Sequence, residues 1–133
     1  MAEKKISDLS IGDWVEIDGE PAKALCLRIA GGHIFKGVSG QMYRCCGGMD
    51  FYPISITPEM LEKNGFVKWQ GGLVLIGDEI SCRYEDGNLT IKQGYRDNEE
   101  ALVERLLVNI ECKYVHQLQH ALRLAGVGKE IEV

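Results

Sequence analysis

The sequence predicts an α+β protein, antiparallel and rich in β-structure. Three observations carry this. Four two-residue turn signals, Asp18-Gly19, Gly31-Gly32, Gly71-Gly72 and Asp86-Gly87, each separate stretches of strand character. The stretch I-T-P-E-M-L-E-K-N-G-F (Ile56–Phe66) reads as a short helix with both ends specified. Residues 114 to 125 repeat apolar side chains at helical spacing.

The elements follow in order. Residues 1–10 are a polar lead-in. D-W-V-E-I (Asp13–Ile17) alternates as a strand does, and Asp18-Gly19 turns it into A-K-A-L-C-L-R-I-A. There Leu25, Leu27 and Ile29 share one face, and Ala24, Cys26 and Arg28 the other. Gly31-Gly32 leads into H-I-F-K-G-V. Gly37 and Gly40 interrupt the pattern before a further strand, Q-M-Y-R-C-C, and a loop that ends at Pro53. Closely spaced strands joined by tight turns imply a small, curled, β-barrel-like lobe over residues 1–56.

In the central helix Thr57 is the N-cap and Pro58 takes the first helical position, where its missing N–H costs nothing. Glu59 complements the dipole, and Gly65 supplies the left-handed residue after the last turn. Phe66 is then placed to close onto Leu61. So short a helix is unstable alone, so it must lie on a sheet. F-V-K-W-Q and L-V-L-I form the next hairpin, and the unbroken apolar run L-V-L-I predicts a central strand covered on both faces. In E-I-S-C-R-Y-E, Ile80, Cys82 and Tyr84 point one way. Asp86-Gly87 turns into N-L-T-I-K-Q. D-N-E-E-A-L-V-E-R suits a helical turn or loop, followed by a strand from about 106 to 113. The final helix places Tyr114, Val115, Leu118, Ala121, Leu122 and Ala125 on one face, and Gly126 stops it with Val127 closing on Leu122. K-E-I-E-V is an edge strand or a docked tail. Residues 57–133 thus form an antiparallel sheet with two packed helices, sharing one core with the first lobe.

Composition excludes several functions. The formal net charge is -5. Before Pro58 there are 6 basic and 7 acidic residues, and from it onward 9 and 13, so neither half has the basic footprint of a general nucleic-acid binder. An anionic membrane is an equally poor partner. No apolar run suggests a signal peptide or a bilayer span, and the 5 irregularly spaced cysteines read as reduced thiols of a cytoplasmic protein.

Chemistry-bearing residues are few. His116 and His120 share a helix face at the spacing zinc proteases use, but Gln117 stands where their general base would be and Arg123 follows one turn on. A metal-dependent hydrolase using this pair is one reading; with no third ligand, no metal and no cofactor is expected. Cys45-Cys46 could supply a thiol nucleophile with His33 or His116 as its base, but lacks C-x-x-C spacing. Gly31–Gly40 fails as a phosphate loop because Lys36 precedes Gly37 and no helix follows. Trp14, Tyr43, Trp69 and Tyr95 are placed by preference in core or rim packing. A nucleic-acid accessory role would require Lys23, Arg28, Lys36 and Arg44 to gather on one side.

Three stretches carry a resemblance: L-S-I-G-D-W-V (Leu9–Val15), P-I-S-I-T-P-E-M-L-E-K-N-G-F (Pro53–Phe66) and K-Y-V-H-Q-L-Q-H-A-L (Lys113–Leu122). Together they resemble a family of small proteins from phages and integrated elements of Bacteroides-like gut bacteria. That family typically follows its last helix with an aromatic pair and A-L-T-G-[KE]-E-L. Here the chain reads A-L-R-L-A-G-V-G-K-E-I, the pattern of a divergent member. The resemblance implies an intracellular setting and a mobile-element origin, with no activity, cofactor or catalytic residue attached. The I-G-D-W-V opening also looks like the first strand of a Src-homology-3-type barrel. The leading expectation is a non-enzymatic interaction module, binding a protein or itself through the polar face of the last helix: His116, Gln117, Gln119, His120 and Arg123.

Overall fold

The computed structural model describes residues 9–27, 32–45, 51–77, 79–96, 99 and 102–133. Ten strands and two helices are assigned among them: β1 (Trp14–Ile17), β2 (Glu20–Cys26), β3 (His33–Gly37), β4 (Met42–Cys45), β5 (Tyr52–Pro53), α1 (Pro58–Lys63), β6 (Val67–Trp69), β7 (Gly72–Ile76), β8 (Ile80–Glu85), β9 (Asn88–Arg96), β10 (Leu102–Glu111) and α2 (Val115–Leu124). The strands make two five-stranded sheets, ordered β4-β3-β2-β1-β5 and β10-β9-β8-β7-β6, with every pair antiparallel. The chain divides into two compact units. One comprises residues 1–55, 114–116 and 133; the other comprises 56–113 and 117–132.

The first unit holds the first sheet. Its core is Val15, Ile17, Ala22, Ala24, Phe35 and Tyr43, with Leu9, Leu27 and Phe51 packed against it. Small alanines from β2 face inward because β1 and β3 fill the volume with Val15, Ile17 and Phe35. A register shift between Ala24 and Cys26 leaves Leu25 exposed while Leu27 still reaches the core. β4 and β5 are the edges, so the ladder does not close into a barrel. The proposed turn at Gly31-Gly32 lies partly, and Arg28, Ile29 and Cys46 wholly, outside the described residues.

The second unit is a run of sequential hairpins. Asp86 and Gly87 (φ 50 and 79) make the same left-handed pair as Asp18 and Gly19 (φ 51 and 78), the two-residue turn whose twist matches the strands. At the third hairpin the turn residues are Gln70 and Gly71 (φ 47 and 81), one position earlier than expected, because Gly72 pairs with Trp69 as the closing residue. The register places Leu73, Cys82, Leu89 and Ile91 on one, buried, face. Phe66, Leu61, Met60, Leu118, Ala121 and Leu122 are buried in the same unit.

Two further expectations are corrected. β7 is second from the edge, not central, and only Leu73 and Val74 are buried; Ile76 is 73% exposed, because β6 pairs no farther along β7 than Val74. β10 begins at Leu102, not near 106. Leu102 pairs with Arg96 and Val103 with Tyr95, so the long hairpin overrides the local helical signal.

Both helix ends behave as read. Thr57 Oγ1 accepts from Met60 N at 3.2 Å. At the C-terminus of α1, Gly65 (φ 94) donates to Glu62 O at 3.1 Å and Phe66 N to Leu61 O at 3.0 Å. At the end of α2, Gly126 (φ 79) donates to Arg123 O at 3.0 Å and Val127 N to Leu122 O at 2.8 Å. These are two copies of one Schellman motif.

Candidate interaction face of the second sheet

All five residues expected to form a binding stripe lie on α2, and the structure gives most of them work inside the molecule. Gln119 is 2% exposed. Its Nε2 donates to Lys129 O at 3.0 Å and its Oε1 accepts from Ile131 N at 2.7 Å. Arg123 meets Glu130 at 3.4 Å. Gln117 Oε1 accepts from Lys113 N at 2.9 Å. His116 is buried, and its ring stacks on Tyr114 with centroids 6.1 Å apart. His120 is half-buried.

Gln119 and Arg123 therefore fasten the segment after the helix. Asn64, at the end of α1, completes the fastening: its Nδ2 donates to Glu132 O at 2.7 Å and to Met60 O at 2.8 Å, and its Oδ1 accepts from Glu132 N at 2.8 Å. A side-chain amide offers the same donor and acceptor as a strand, so Asn64 and Gln119 act as two isolated rungs. Between them Ile131 is buried. The tail is thus docked, not strand-paired.

Cys82 and Cys112 are buried thiols, and burial pushes them up to about 11 and about 12 respectively, since a thiolate there would lose its hydration. Among the described residues no group of three or more His, Cys, Asp or Glu is placed to hold a metal ion. None of the described helices is long and apolar enough to cross a membrane.

The uncovered chemistry lies on the other face of the second sheet. Cross-strand register puts Val67, Trp69, Val74, Ile76, Ser81, Arg83, Thr90, Lys92 and Leu106 there. Trp69 is 57% exposed, and Val67, Ile76 and Leu106 are exposed as well. Trp69 is held in place by Arg83. The guanidinium lies 5.9 Å from the indole centroid, Nη1 donates to Trp69 O at 3.2 Å, Nη2 donates to Gln70 O at 2.6 Å, and Nε pairs with Glu85 at 3.2 Å. Gly72 is what lets the guanidinium in: a Cβ there would sit 3.1 Å from its carbon and Nη2.

Trp69 borders two hollows. One, of about 510 Å³, is lined by residues including Pro58, Leu73, Tyr84, Glu85 and Asp86. The other, of about 370 Å³, lies on the sheet face among Val74, Ile76, Arg83, Thr90, Lys92 and Glu104. The sequence places Trp69 in core or rim packing because interleaved basic residues are sparse. The signal for the alternative is the triplet V-K-W followed by a two-residue turn, too short a strand to bury both its faces.

No family model, curated protein or solved structure matches this chain.

Proposed function

We propose that the chain is a non-enzymatic protein-interaction module whose working surface is the outer face of the second sheet around Trp69. The observation that supports this most directly is a tryptophan left more than half exposed yet locked by an arginine. Trp and Arg dominate interface hot spots, and pre-ordering them lowers the entropy that binding must overcome. Apolar residues stand at both sides of the face, Val67 and Ile76 at one and Leu106 at the other, around a centre of Ser81, Arg83, Thr90 and Lys92. A protein partner with an apolar rim and central hydroxyl or carboxylate groups fits that pattern.

The same reading takes the first unit as an open relative of the Src-homology-3-type lobe. What supports it is that β1 lies between β2 and β5, so the first and last strands of the meander meet. A phage or mobile-element origin and a cytoplasmic setting rest on the three stretches of family resemblance and on the reduced-thiol reading of the cysteines.

The test is partner capture from lysate of the source cells. Trp69→Ala is expected to weaken capture by about 2 kcal/mol or more, roughly thirtyfold in Kd. His116→Ala/Arg123→Ala at the stripe serves as the comparison. Equal recovery by wild type and Trp69→Ala removes this face from consideration.

A further inference from the structure

The first sheet has its own solvent face, and its composition differs from that of the chain. Register sets Trp14 opposite Lys23, Lys23 opposite Lys36, and Lys36 opposite Met42, one straight row across four strands. At the ~4.8 Å spacing of neighbouring strands the row spans about 14 Å. One pleat along, Arg44 faces Ile34, and on the other side Tyr52 faces Glu16. Lys36, Met42 and Arg44 are exposed; Trp14, Lys23, Ile34 and Tyr52 are half-buried.

Two features need a reason. Lys23 and Lys36 are direct cross-strand neighbours, an arrangement that repels. Yet in a chain of net charge -5, no carboxylate among the described residues lies within ion-pair distance of Lys23, Lys36 or Arg44. The nearest acids are committed or peripheral. Glu20 is taken by Ser39 and Tyr43, Glu16 stands one pleat away beside Tyr52, and Asp18 is in the turn. Lys23 instead lies over Trp14, 5.7 Å from its centroid. Among the described residues the face therefore presents three cations without an ion-pair partner, on β2, β3 and β4, beside two aromatic rings on β1 and β5.

We infer that this face binds single-stranded nucleic acid, with Lys23, Lys36 and Arg44 on successive phosphates and Trp14 and Tyr52 stacking on bases. An antiparallel sheet face carrying aromatics and cations suits unpaired bases, because every base has a π-face and the phosphates follow the cations. Duplex offers its phosphates but not its base faces. The site shares no residue with the Trp69 surface, so either can fail without the other.

Fluorescence anisotropy with labelled oligo-dT and oligo-U tests it, in the full chain. Binding is expected at low ionic strength, with log K falling against log salt at a slope of about −2, the value for three phosphate contacts on a single strand. Lys36→Glu and Arg44→Glu each weaken binding at least tenfold, and Trp14→Ala does so on the order of tenfold by loss of stacking. Glu16→Gln tightens it, and Trp69→Ala leaves it unchanged. Lys36→Glu also sets an opposite charge across from Lys23, so its Tm holds or rises, which separates lost binding from lost folding. The inference is overturned by no binding at low salt, by full binding in Lys36→Glu, by duplex binding tighter than single strands, or by poly-glutamate competing as well as the oligonucleotides, which would make the face an acidic-peptide site.

Discussion

The two sheets have the same strand count and the same antiparallel ladder, yet each unit is fastened differently. In the first, the β3–β4 connection is held by a charge. The Glu20 carboxylate accepts from Ser39 N at 3.0 Å, from Ser39 Oγ at 2.9 Å and from Tyr43 Oη at 2.6 Å. Gly37 leaves the space, since a Cβ there would collide with that carboxylate. In the second, the C-terminal segment is held by two neutral amides, Asn64 and Gln119. A charged clasp is sensitive to pH and a neutral one is not. The lesson is that two similar platforms in one chain can be given different environmental responses by one carboxylate in the first and two amides in the second.

The largest effects should be shared by both sheets. Phe35→Ala in the first and Leu89→Ala in the second each remove a fully buried side chain, and each is expected to cost about 3–5 kcal/mol in denaturant unfolding. A much smaller loss in one would show that its sheet tolerates a cavity that the other does not.

Next comes the neutral clasp. Asn64→Ala removes three hydrogen bonds and is expected to cost about 2–3 kcal/mol, with faster amide exchange at Ile131 and Glu132. That loss should be the same at pH 4 and pH 8; a pH-dependent loss would break the distinction drawn between the clasps.

The charged clasp should show the reverse. The hydroxyls and amide around Glu20, Tyr43 foremost, hold its pKa below the usual 4.5. Its contribution is thus complete above that value and disappears as pH falls through the depressed folded pKa. Tyr43 is pushed from 10.0 up to about 12, chiefly by donating to Glu20, so its contribution is complete below 10.0 and is lost as pH rises toward 12. Glu20→Gln should lower Tm at neutral pH and flatten the acid limb of the stability profile. An unchanged acid limb would show that Glu20 is not the group responsible.

The smallest effects on stability belong to the two outer faces. Trp69→Ala and Arg44→Glu are each expected within about 0.5 kcal/mol of wild type in denaturant unfolding, because neither position is core. A larger loss for Trp69→Ala would mean that the Arg83–Trp69 pair supports the sheet as well as presenting a surface.

Much of the second unit was legible because its order is local. Asp86-Gly87, the caps at Thr57 and Gly65, and the stop at Gly126 each act within a few residues, so residue type alone decides them. The turn at Gln70-Gly71 was misplaced by one because Gly-Gly permits either register, and the choice fell to the guanidinium of Arg83, which needs the empty side of Gly72. The stripe assigned to α2 meets the chain's own tail at Gln119 and Arg123. Polar periodicity shows which side avoids the apolar contact, but not that Lys129 to Glu132 returns to cover it.

Residue chemistry by itself therefore determined most of the antiparallel hairpins and the cap and stop signals of the helices, which follow from turn and cap chemistry within short segments. Only the folded chain decided that Lys23, Lys36 and Arg44 share a face with Trp14, that Trp69 stays outside, and that two amides clasp the tail. Those depend on strand register and on contacts between residues far apart in sequence, such as Asn64 and Glu132, where many pairings are sterically possible and burial selects one.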